Sequence, residues 1–206
     1  LFAQPGQLTS ARALRVAVIL LIRGRHAESL TWLERARAQA GLETEDDVEY
    51  WRLNGQLSAM LYRDEQAIDA FRRLIDADKA QPADFDALIR LLADDAPLDA
   101  ARVAAHAWDK FDSPAHLIQA LSLYSNRNRW TEIGQLMRRL DSQPGATRHA
   151  LAPLRANPEF LRLLGTYQQN VGQFALARRN FEAALQLAPD SAPLQQALLW
   201  LHIDTN

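Results

Sequence analysis

Residues 158–191 read PEFLRLLGTYQQNVGQFALARRNFEAALQLAPDS, and this stretch decides the fold. Two apolar runs flank Gly172, and Pro189 follows the second. A helix stop favours a residue that tolerates positive φ, so Gly172 marks a turn between two helices. Proline cannot continue a helix, so the second ends before Pro189. Counted from Pro158, Leu164-Gly165, Gly172, Ala177, Phe181, Ala184 and Pro189 occupy positions 7, 8, 15, 20, 24, 27 and 32 of 34. A helix pair this short cannot bury its apolar stripe alone, so it predicts neighbours of its own kind.

Those neighbours emerge when the small residue of position 20 and the aromatic four places later are sought upstream. Ala67 and Phe71 fit, with Trp51 at position 4 and Gly55 at position 8, which defines a copy at 48–81. Residues 82–113 follow with Phe85, Leu88 and Leu92 at positions 4, 7 and 11 and Ala101 at position 20. Residues 114–147 place Leu117, Leu121 and Tyr124 at 4, 8 and 11, with Trp130 at 17. Residues 10–43 hold Val16, Ala17 and Leu20, then Gly24 at 15 and Leu33 at 24. The segment RHALAPLRAN, 148–157, breaks the period and reads as a short extra helix or a lengthened connection.

This pattern resembles the tetratricopeptide repeat, a helix–turn–helix unit of 34 residues. The resemblance implies an all-α chain, a right-handed α-solenoid of about five repeats with a terminal helix at 192–204, forming one array over 1–206. It implies that Gly165 and Ala177 face each other where the two helices cross. Phe181 and Ala184 are then knob and hole toward the neighbouring repeat.

Composition supports helices throughout. Eight Gly and nine Pro stand in 206 residues, most of them where helices should start or stop. Ala67, Ile68, Phe71, Leu74 and Ile75 follow the spacing of a one-faced helix, and alternating β-branched runs are missing. Ser10 is expected to open the first helix and Ser113-Pro114 the seventh. The longest apolar run, Val16–Ile22, falls far short of the roughly 20 residues of a membrane span. The opening LFAQPGQLTS shows no charged stretch or cleavage site of a secretory signal. Both ends are apolar, and Leu198, Leu199, Trp200, Leu201 and Ile203 crowd the last helix. A solenoid usually closes on a polar-faced cap, so a piece of a longer array is expected; self-association through apolar ends is the alternative.

Absence of cysteine excludes disulfides and thiolate metal sites. The net charge of −2 is unevenly spread. Residues 1–40 carry six Arg and two acids, whereas 41–99 carry fifteen acids and six bases. The run Glu43, Glu45, Asp46, Asp47, Glu49 leads into a helix start, where carboxylates complement the macrodipole; an acidic belt for a basic partner is the other reading. Nucleic acid is not expected, because no basic stripe interleaved with aromatics exists.

No catalytic constellation, cofactor motif or metal-ligand spacing is found. His26, His106, His116, His149 and His202 are scattered and read as helix-surface residues. Asp84 and Asp86 read as helix capping rather than metal ligands. Trp32, Trp51, Trp108 and Trp130 read as packing residues, whereas Trp200 has nothing after it to cover it.

Function is therefore expected in binding. The resemblance implies that the first helix of each repeat lines a concave groove through its positions 2, 5, 9, 12 and 13. In the second repeat these are Glu49, Arg52 and Gln56. The third gives Asp86, Arg90 and Asp94. The fifth gives Glu159, Arg162, Thr166, Gln169 and Asn170. The fourth gives Ile118, Ser122, Ser125 and Asn126, and the first Leu14, Val18, Leu21 and Ile22. The groove should be polar over most of its length and apolar at its start. Arg52→Glu with Arg90→Glu is expected to weaken binding without unfolding.

A narrower resemblance covers 158–206. The sequence LLWLHIDTN after LQLAPDSAPLQQA resembles the periplasmic repeat region of bacterial exopolysaccharide exporters of the Pel type. That likeness implies a non-catalytic periplasmic scaffold within an outer-membrane protein. Such a scaffold would recruit a polysaccharide deacetylase or hydrolase and guide polymer toward a porin. Glu49, Asp86 and Asp94 would then suit a polymer carrying amino groups. A generic peptide- or protein-binding repeat domain of a cytoplasmic regulator or assembly is the alternative.

Overall fold

A computed structural model describes residues 10–38, 44–142 and 151–204. The described residues are helical, with no strand among them. Their contacts group into two compact units that divide between Asp94 and Asp95.

The first unit holds α1 (Ser10–Ile22), α2 (His26–Ala38), α3 (Thr44–Met60), α4 (Asp64–Asp76) and α5 (Pro82–Leu92). α1 pairs with α2 and α3 with α4, while α2 and α1 both touch α3. The pairing follows from the apolar stripes. Ala13, Leu14 and Ala17 of α1 meet Leu30 and Leu33 of α2 and Leu53 and Leu57 of α3 in one buried cluster. The buried Ser29 hydroxyl donates to the Ala17 carbonyl at 2.6 Å, which satisfies both groups inside that cluster.

The second unit holds α6 (Pro97–Phe111), α7 (Pro114–Ser125), α8 (Trp130–Ser142), α9 (Leu151–Arg155), α10 (Pro158–Asn170), α11 (Phe174–Leu187) and α12 (Ala192–Asp204). Ala100, Ala101, Ala104, Ala105 and Ala107 are buried on α6, which runs closely along α7. α10 packs on α11, α7, α8 and α9. The extra helix read in 148–157 is α9; residues 148–150 lie outside the described residues. Phe181, Leu194 and Leu201 join α11 to α12, whose other side leaves Leu199, Trp200 and Ile203 exposed.

The repeat signature has a common steric cause in both units. A Cβ on Gly55 would stand 2.8 Å from the Phe71 ring, and one on Gly165 would stand 2.6 Å from the Phe181 ring. The glycine at position 8 thus makes room for the aromatic at position 24 of the same repeat. Phe181 therefore packs two ways: its ring fills the space left by Gly165 within its own repeat, and it also meets Leu194 and Leu201 of the following helix, the side the sequence reading expected. A third close approach was not foreseen. A Cβ on Gly134 of α8 would meet the Tyr167 hydroxyl of α10 at 2.8 Å.

Position 15 is the left-handed turn between paired helices. Gly24 (φ 71°) and Gly172 (φ 79°) take it as the sequence predicts, and Asn128 (φ 53°) and Tyr62 (φ 56°) take it elsewhere. Asparagine tolerates this region; a bulky side chain is strained there. Capping is less regular than expected. Ser113 stands at the start of α7 without a side-chain cap bond, whereas Asn157 caps α10 by accepting from the Phe160 N–H at 3.0 Å.

Candidate functional site

In the first unit the faces of α1 and α3 bound a cleft of about 430 Å³. Val18 and Leu21 form its α1 wall; Glu49, Arg52, Leu53 and Gln56 come from α3. The side chains alternate around α3 as the helical period requires, so Glu49, Arg52 and Gln56 share one face. Glu49 and Gln56 are exposed at the rim. Leu14, expected in the groove, is instead part of the core, and Ile22 projects with 80% of its surface exposed.

Arg52 is not free to meet a partner. Its Nε donates to both Asp84 oxygens, at 3.0 and 3.2 Å, and its terminal nitrogen donates to the Lys79 carbonyl at 3.0 Å. The Asp84 carboxylate is 2% exposed and also accepts from the Gln81 backbone N–H at 2.9 Å. Asp84 therefore caps α5, as read from the sequence, and clamps α3 to the corner between α4 and α5. The proposed double charge reversal at Arg52 and Arg90 thus tests folding as well as binding. Asp86, Arg90 and Asp94 belong to α5 and its end, outside this cleft. Arg90 and Asp94 are exposed and Asp86 half-buried.

In the second unit Arg162, Thr166 and Asn170 stand four residues apart on one face of α10 and bond along their own helix. Arg162 makes two hydrogen bonds to Glu159, at 2.7 and 2.8 Å. The hydrogen bonds to Glu159 raise the Arg162 pKa, against the opposing effect of burial. The Thr166 hydroxyl donates to the Arg162 carbonyl at 2.9 Å, and the Asn170 amide donates to the Thr166 carbonyl at 2.8 Å. Gln169 is half-buried on the same helix. The result is a polar ridge in which Arg162 is paired with Glu159 and the uncharged Thr166 and Asn170 are bonded to their own helix.

His116 departs from the surface reading: it is buried on α7, whereas His106 is exposed. Among the described residues no group of three or more His, Asp or Glu is placed to hold a metal ion. No described helix is long and apolar enough to cross a membrane.

The tetratricopeptide repeat family model matches residues 4–206, so the chain belongs to that family. Its repeats make it a scaffold for protein–protein interaction. Among solved structures it is similar to YrrB, a TPR protein described with an unusual peptide-binding site. The two share 13% identity over 91% of each chain, with a TM-score of 0.64. It is also similar to MamA from Desulfovibrio magneticus RS-1, with 12% identity over 80% of this chain and 88% of that one, and a TM-score of 0.58. At these identities the likeness is one of fold. No curated protein sequence matches.

Proposed function

We propose that the chain is a docking scaffold whose first-helix faces hold an extended segment of a protein partner. The observation that carries this is the cleft between α1 and α3. An apolar wall of Val18 and Leu21 faces the exposed Glu49 and Gln56 across a space large enough for side chains. An apolar side chain of the partner seats on the wall, Gln56 bonds its backbone, and Glu49 attracts a cation. The ridge of Thr166 and Asn170 in the second unit offers comparable polar contacts. YrrB, with its described peptide-binding site, is a fold-level parallel.

We further propose that this scaffold is the periplasmic repeat segment of a Pel-type exopolysaccharide export protein, with its five repeats in one array. The partner would be a polysaccharide deacetylase or hydrolase, and a cationic polymer would pass along the acidic residues Glu49, Asp86 and Asp94. The resemblance of 158–206 to that exporter family supports this reading. Deleting the segment from its gene should abolish exported polymer, and a pull-down from periplasmic extract should recover a carbohydrate-active enzyme. Normal export after deletion, or capture of cytosolic proteins alone, would refute it.

A further inference from the structure

A second cleft, of about 670 Å³, opens on the other side of α3. Tyr50, Trp51 and Asn54 line it from α3, Glu34 and Arg37 from α2, and Glu65 from α4. At 3.6 residues per turn, Tyr50, Trp51 and Asn54 point away from the face that carries Glu49 and Gln56. The two clefts therefore flank one helix and can be filled independently.

Its aromatic wall is fixed by packing. The Tyr50 and Trp51 rings meet edge to face, with centroids 4.9 Å apart. Asn54 donates to the Tyr50 hydroxyl at 3.1 Å and accepts from Ser58 at 3.0 Å, which sets its orientation. That wall already receives guanidinium groups of this chain. Arg37 lies 5.0 Å and Arg73 4.5 Å from the Trp51 ring centroid, within the range of cation–π attraction. Arg73 is further bonded to Asp69 at 2.9 Å. Glu34 and Glu65 line the cleft from different helices and have no ion-pair partner among the described residues. The lining carries Glu34, Glu65 and Asp69 against Arg37, so an excess of negative charge faces an arriving cation.

We propose that this cleft receives an arginine or lysine side chain of a protein partner. The carboxylates Glu34 and Glu65 take its charge, and the Tyr50–Trp51 wall takes its apolar stem. A scaffold with this arrangement can hold two segments at once, one on each side of α3.

The test is a titration of the ¹⁵N-labelled chain with acetyl-Ala-Arg-Ala-amide and, separately, acetyl-Ala-Glu-Ala-amide. The readout is the Trp51 indole N–H signal, assigned by its loss in Trp51→Phe. The arginine peptide should move that signal saturably, and the glutamate peptide should not. Glu34→Gln with Glu65→Gln, both exposed positions, should weaken the arginine peptide by about fivefold to tenfold, the scale of two exposed ion pairs. An equal response to the glutamate peptide would overturn the proposal. So would an unchanged affinity in the double variant, or no response to the arginine peptide at concentrations on the order of tens of millimolar.

Discussion

Arg52 and Asp84 hold each other across 32 residues of sequence, with the Asp84 carboxylate buried and the Arg52 side chain 24% exposed. Arg52 also lines the cleft between α1 and α3, so the same residue that borders the candidate site fastens α3 to α5. Removing one partner of such a pair strands the other. Arg52→Ala should destabilise the first unit by about 2 kcal/mol, reduced from the fully buried case by partial exposure. Arg52→Lys should recover only part of that, because an ammonium cannot reproduce the forked contact to Asp84 and the Lys79 carbonyl. Urea denaturation followed by circular dichroism measures both; an unchanged midpoint for Arg52→Ala would contradict the clamp.

Gly165 and Gly172 test two different demands for glycine within one repeat. Gly165→Ala pushes a methyl into the Phe181 ring and should cost about 1–3 kcal/mol by overpacking. Gly172→Ala meets open space and should cost about 1 kcal/mol from its left-handed backbone alone. Replacing Phe181 by Leu should relieve the first substitution and leave the second untouched, which a double-mutant cycle on thermal melts would show. Ala177→Trp should destabilise the same repeat strongly, also by overpacking.

Tyr62 carries the same left-handed turn with a side chain 91% exposed. Packing returns little for the strain. Tyr62→Asn should raise stability by about 0.5–1 kcal/mol, since asparagine already serves this position at Asn128. A lower melting temperature would show that the phenol ring makes stabilising contacts.

The fold was legible because two repeats share one steric solution and anchor the register of the others. Gly55 and Gly165, Phe71 and Phe181, and Gly24 and Gly172 each betray one local constraint that only a few residue types satisfy. The faces of the first helices were also legible, since helical period alone puts Glu49, Arg52 and Gln56 together. What period cannot reveal is who answers each side chain. Arg52 looked like a groove residue because Asp84 lies in another repeat, and Asp84 looked like a simple cap because its N-terminal position explained it fully. His116 was read as exposed although α7 turns it inward. The cleft around Trp51 escaped because it is assembled from α2, α3 and α4, and no single helix displays it.

The docking face is tested most directly by a photo-crosslinking amino acid placed at Gln56, with the exposed Arg72 of α4 as the control position. Irradiation in cells that make the protein should join position 56, and not position 72, to a protein partner. Adducts at position 72 with none at position 56 would contradict the first-helix face as the place where the partner binds.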